Sequence, residues 1–268
     1  MLRSVYGESI WSRRNSLLWY VVGLGALVGI TVSVYPTIRE GADTITQLLE
    51  AMPQGMMSFF GAAEVSDLLT PSGFINSRVN ASIGSIVLAV FAISIGTGAI
   101  AGEEDRRTMD LILATPTPRY RIVLERFAAM ATLVAVVAFA LLIVMAIGNP
   151  IVDLGFPVAN MIASNFELAL LALVFGSLAF AVGGITGKRG ITIGIASGTT
   201  VTTFFINGLA ELVDWLQGAQ KFTPFYWLQR SDPLSKGLSI EDTLIMIVTI
   251  AIFMGIAVWG FNRRDIAV

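Results

Sequence analysis

Six stretches of this chain are long and apolar enough to cross a bilayer, and no other feature restricts the fold so strongly. They are residues 17–35, 81–101, 127–147, 166–186, 191–209 and 243–261. A spanning helix needs about 20 mostly apolar residues. In hydrocarbon every backbone N–H and C=O must find its partner within the protein, and runs this long and continuous suit helices, not barrel strands. The expected fold is therefore an all-α integral membrane protein with six transmembrane helices in a single domain, 1–268. Composition agrees. The chain is 55% hydrophobic and 13% charged, against about 25% charged in soluble domains. An apolar excess of that size cannot be hidden in one core.

Composition also removes whole classes of chemistry. There is no His and no Cys, so the commonest metal ligand, the usual general base near neutral pH, and thiolate chemistry are all missing. A net charge of −2 provides no basic field for nucleic acid. The spans hold no paired catalytic residues, which argues against an intramembrane enzyme. The first apolar run exceeds a signal-peptide core and ends in Val34-Tyr35-Pro36, without a small-x-small cleavage pattern, so it reads as a retained span.

Charge sets the expected orientation. With the N-terminus inside, inner segments hold 12 Lys/Arg residues and outer segments hold five: Arg39, Arg78, Lys221, Arg230 and Lys236. The positive-inside rule then places both termini in the cytoplasm. Residues 1–16 read as an amphipathic helix with Leu2, Val5, Tyr6 and Ile10 at helical spacing. Its Arg side chains suit the headgroup region.

Two outer segments carry apolar patterns of their own. In 36–80, Ile45, Leu48, Leu49, Met52, Met56, Phe59 and Phe60 form a stripe suggesting an interfacial helix, bent near Pro53-Gln54-Gly55. After the fifth span, Leu212, Val213 and Leu216 form a face with Trp215 beside it. Gly218 is expected to break that run, and the aromatic cluster in 224–229 suits a re-entrant or interfacial element. Either segment can gate a substrate or simply anchor to headgroups.

Spans two and five are rich in small and hydroxylated residues. The candidate path-lining residues are Ser85, Ser94, Thr97, Ser197, Thr200, Thr203 and Asn207. Such residues serve close helix packing or a cavity wall, and both readings place these spans inside the bundle. Glu167, beside the apolar body of span four, is expected to snorkel to the outer headgroups and not to act as a buried proton site.

The sequence GGITGKRG at 183–190 is not a phosphate-cradling loop. The pattern G-x-x-x-x-G-K-[ST] needs Gly where Val182 stands, and a hydroxyl where Arg189 stands. It reads as a tight turn between two spans. The densest charge in the chain lies elsewhere, in 102–126, with five of the 17 Lys/Arg and five of the 19 Asp/Glu. There, residues 105–115 can form a short helix bearing Leu111, Ile112 and Leu113. Pro116 and Pro118 end it, and 119–126 restart a helix into span three. Apolar teeth on a short, charged helix held at a rigid corner suit docking into a partner's groove.

This loop resembles that between the second and third spans of ABC type-2 exporter permeases. The matching positions are Gly102, Glu103, Glu104, Arg106, Arg107, Thr108, Asp110, Leu111, Leu113, Thr115, Pro116 and Arg119. Fainter echoes are SDPL at 231–234 and FNRRDI at 261–266. The resemblance implies a transmembrane permease subunit in a prokaryotic cytoplasmic membrane. Two such subunits, identical or homologous, would pair with two copies of a separate ATP-binding subunit. Helix 1–16 would be the connecting helix and the 105–115 helix the coupling helix. Glu103, Glu104, Arg106, Arg107, Thr108, Asp110, Leu111, Leu113, Thr115 and Pro116 would meet the ATPase, and spans two and five would line the path. ATP and Mg2+ would belong to the partner, with no cofactor in this chain. An amphiphilic or hydrophobic cargo is expected. The alternative is a non-transporting membrane module that recruits a cytosolic protein through the same loop.

Overall fold

A computed structural model of the chain describes residues 5–42, 46, 69–105, 118–210 and 212–264. Twelve helices and no strand occur among the described residues. All seven residues of the 36–80 stripe, its Pro53 bend, residues 106–117, and Asp265 and Ile266 lie outside them.

Among the described residues, five helices are long and apolar enough to cross a membrane. They include α2 (Arg14–Glu40), α6 (Arg119–Val152), α7 (Val158–Thr186) and α12 (Ile240–Arg263). The fifth is formed by α3 (Pro71–Val79) running on into α4 (Ile83–Ala99). The counterpart of the fifth expected span is α8 (Arg189–Leu209), 21 residues long. Its Thr and Asn residues dilute its apolar character, so it does not count among the five. The chain is a multi-pass, all-helical membrane protein.

Helix α7 is the hub, packing against α4, α6, α8 and α12. Its residues are buried on nearly every side, as small side chains such as Ala163, Ser164, Ala172, Gly176, Ser177 and Ala179 let neighbours approach. At one tight crossing, a Cβ built on Gly96 of α4 would sit 2.6 Å from the Gly176 carbonyl oxygen. Span two is thus inside the bundle, as its composition suggests. Span five is not inside this chain. One side of α8 packs on α7 and α4, while Gly190, Gly194 and Gly198 face open space.

Several boundaries differ from the sequence expectation for identifiable reasons. Helix α2 continues through Pro36 to Glu40; only a donor and its local bond are lost there, and the helix end is near. The N-terminal segment is a short helix, α1 (Val5–Ser12), broken from α2 at Arg13. It packs against α6, where the Tyr6 and Thr132 hydroxyls are 3.0 Å apart. Residues 101–105 form α5 (Ala101–Asp105). Gly218 does not break the segment after span five; it sits within α9 (Leu216–Gln220). Leu216 is buried there, while Leu212 and Trp215 remain exposed. The aromatic cluster forms α10 (Pro224–Ser231), started by the Thr223 hydroxyl accepting from the Tyr226 N–H. The last short helix is α11 (Pro233–Lys236).

Candidate functional site

A cleft of about 760 Å3 opens where the α1–α2 turn, α4, α5, α6 and α8 converge. Part of its lining is apolar, with Val90, Ile93 and Ile193, and part is charged, with Glu8, Arg13, Glu103, Arg126 and Arg189. The positive charge comes from three arginines on separate elements. Arg13 lies in the α1–α2 turn and donates to the Ser94 hydroxyl at 3.3 Å and the Ser94 carbonyl at 3.4 Å. Arg126 follows the first two turns of α6, is only 6% exposed, and lies 3.9 Å from the Glu103 carboxylate. Arg189 opens α8.

Two polar groups on this cleft have no hydrogen-bond partner among the described residues: the Arg126 Nε and the Thr97 hydroxyl. Unmet buried donors cost about 1–3 kcal/mol each. A cleft that retains them is suited to a polar ligand, to water, or to a second chain.

The candidate path-lining residues divide. Ser94, Thr97 and Ser197 meet at this cleft. The other four do not. Ser85 is buried and donates to the Ser82 carbonyl. Thr200 is buried and bonds back to the Ala196 carbonyl. Thr203 bonds to Thr199 and lies on a shallow groove along α8. Asn207 is buried at the far end of α8, donating to Gln229 at 2.8 Å and accepting from Gln220 at 3.2 Å. Arg13, Arg126 and Arg189 were not singled out by sequence, where they counted only toward inside-positive charge. The signal that could have found them is the coincidence of three arginines at three separate helix starts or turns.

Of the loop residues, Glu103 and Glu104 lie on α5. Arg106, Arg107, Thr108, Asp110, Leu111, Leu113, Thr115 and Pro116 fall outside the described residues. Beyond the gap, Pro118 is extended and caps α6. The turn after α7 is tight, with Gly187 left-handed at φ 61° between Thr186 and Arg189. That is helix–turn–helix geometry, not a nucleotide loop.

At the far end, Glu167 corrects the snorkelling expectation. It has no exposed surface. Its carboxylate accepts from the Ser231 hydroxyl, from the Ser239 N–H at 3.2 Å and from the Thr243 hydroxyl at 3.3 Å. The reason is that α7 starts at Val158, so Glu167 lies roughly 14 Å along the helix from its start. The elements following α8 fold over it. Nearby, Arg230 pairs with Asp242 at 2.6 Å and Glu241 at 2.9 Å, fixing α10 to the start of α12.

A family model described as "ABC-2 family transporter protein" matches residues 7–266. This chain belongs to the ABC-2 family of transporter permeases. It is also similar to YhcI of Bacillus subtilis (strain 168), at 24% identity over 215 residues. That match covers 68% of this chain and 66% of the relative, slightly under two thirds of its length. Membership makes the chain a transmembrane permease of the ABC transporter type. It agrees with the resemblance read from the 102–126 loop.

Proposed function

We propose that this chain is the membrane-spanning half of an ATP-driven exporter of an amphiphilic or hydrophobic compound. In this reading α8 is the sixth span, both termini are cytoplasmic, and the membrane is a prokaryotic cytoplasmic membrane. Residues 102–126 dock on a separate ATP-binding subunit, which brings ATP and Mg2+. Helix α1 connects the two layers. A second permease, identical or homologous, packs on the open Gly190-Gly194-Gly198 face of α8, where small residues permit close helix approach.

The observation that carries this reading is that the cleft and the loop share residues. Gly102, Glu103 and Arg126 line the cleft, and they also flank residues 106–117. A push on the loop therefore reaches the cleft walls through one or two side chains. A lining that is part apolar and part charged suits a cargo with a tail and a polar head.

The test is substitution of the loop's apolar residues. Leu111→Asp and Leu113→Asp are expected to leave the chain inserted while abolishing transport by the assembled complex. Full transport by either variant would remove the coupling role. Copurification from native membranes separates this reading from a recruiting module. A stimulated ATPase supports export, whereas a partner lacking a nucleotide loop would overturn it.

A further inference from the structure

Helix α5 ends at Asp105 and α6 begins at Arg119, and these two roots of the loop converge on one residue. We propose that Arg264 is a positioning residue that ties both roots of the 102–126 loop to the ends of α7 and α12, so that the loop moves as part of the bundle. This rests on the coupling role proposed for that loop.

The geometry has three arms. The Arg264 Nη1 donates to the Gly183 and Gly184 carbonyls at 3.3 and 3.2 Å. These belong to the last turn of α7, where a cation is favoured; the Gly183 carbonyl also accepts from the capping Gly187 N–H at 2.9 Å. The Nη2 of Arg264 pairs with the Glu104 carboxylate on α5, the root before the loop. The Arg264 carbonyl accepts from Arg119 Nη1 at 2.9 Å, and Arg119 is the first residue of α6, the root after the loop. Arg119 also reaches the Phe261 carbonyl at 3.4 Å, in the final turn of α12.

Arginine is suited to this place. Its planar fork can give one nitrogen to carbonyls and another to a carboxylate, whereas a lysine ammonium is a single point. Both side chains of the pair are mostly buried, at 22% exposure for Arg264 and 14% for Glu104, so the pair is less screened than a surface pair. Gly187 makes room for it. A Cβ there would run into the Arg264 guanidinium and the Glu104 carboxylate. The backbone is also left-handed at this glycine, which disfavours any other residue.

If the roots are independent, force delivered to the loop is absorbed by bending α5 against α6. If both are fixed to α7, the hub, displacement passes into the helices that bound the cleft.

The test pairs a distance measurement with a rate. Spin labels at exposed positions, Arg121 on α6 or Asp105 on α5, each paired with one at Lys188 beyond α7, report the two roots in the full chain in lipid nanodiscs. Both wild-type distance distributions should be narrow. Arg264→Ala should broaden them and lower stimulation of ATP hydrolysis in the assembled complex at least several-fold, with Arg264→Lys intermediate. Glu104→Gln, which leaves the α7 cap in place, serves if Arg264→Ala fails to insert, and should broaden the Asp105–Lys188 distribution. An unchanged distribution for either pair in Arg264→Ala, or for Asp105–Lys188 in Glu104→Gln where Arg264→Ala does not insert, would overturn the proposal, as would broadening with wild-type ATPase stimulation. Leu111→Asp keeps the staple and tests the coupling reading separately. Wild-type stimulation in Leu111→Asp together with a broadened Arg264→Ala would sink the coupling role of the loop while leaving the tie itself intact.

Discussion

Replacing Glu167 with Ala removes an acceptor shared by three donors, and the cost can be bounded from their alternatives. Ser231 keeps the Leu228 carbonyl, to which its hydroxyl already lies at 2.8 Å. Thr243 can turn its hydroxyl back to a carbonyl one helical turn earlier. The Ser239 N–H, donating at 3.2 Å, has no such escape. Hydrogen bonds between membrane helices average about 0.6 kcal/mol, which gives a floor near ~2 kcal/mol for three. One stranded donor adds about 1–3 kcal/mol. With two donors rescued the three-bond floor does not apply; one lost bond and one stranded donor remain, so the expected loss for Glu167→Ala is about 2–4 kcal/mol. Glu167→Gln retains an oxygen for the Ser239 N–H and should stay within about 1 kcal/mol of wild type. Unfolding in mixed micelles titrated with a denaturing detergent measures both. A Glu167→Ala variant as stable as wild type would mean that the carboxylate is not bonded as described. A Glu167→Gln variant as damaged as Glu167→Ala would refute the view that neutral donors suffice.

Three further outcomes follow from the same structure. Gly187→Ala should cost at least about 1 kcal/mol, from a left-handed backbone plus a displaced ion pair, while Gly190→Ala, which faces open space, should change the unfolding transition little. Burial pushes the Glu104 carboxyl above its ordinary value of 4.5, and Arg264 opposes this. The charged form is therefore disfavoured on folding, so the Glu104 contribution is full below pH ~4.5 and is lost as pH rises through the raised value. Arg264→Ala removes the opposition, so its stability deficit should shrink between pH 7.5 and pH 5 in the same detergent titration, and should not do so in a Glu104→Gln background. Arg230 is more than a third exposed, so its attraction to Asp242 is largely screened. Arg230→Ala should cost only about 1 kcal/mol in that titration, because Asp242 keeps the Ser239 hydroxyl at 2.8 Å.

Much of the fold was readable because hydrophobic length is a one-dimensional signal. The positions of α2, α4, α6, α7, α8 and α12 follow from it to within a few residues at most ends. The family was readable from a short run of charge, leucine and proline. What did not follow was which helix becomes the hub. Hydroxyls in α8 suggested an interior helix, yet in this chain α8 is peripheral and the Ala- and Gly-rich α7 is central. Small apolar residues leave no mark in a hydropathy profile beyond lowering it slightly. Glu167 was misread for a related reason. Its depth depends on where α7 begins, and the start of that helix, 158–165, interrupted by Asn160, Ser164 and Asn165, falls outside the apolar run. Contacts between distant residues, such as Arg264 with Glu104, are invisible to periodicity altogether.

The central claim is that the 102–126 loop engages an ATP-binding subunit. The chain has no native Cys, so Leu113→Cys gives a unique site for a thiol-directed photo-crosslinker in native membranes. The account predicts one dominant adduct, to a chain that carries a nucleotide-binding loop, with loss of that adduct when Leu111→Asp is added. Adducts only to lipid, or an adduct to a chain without a nucleotide-binding loop, would contradict it.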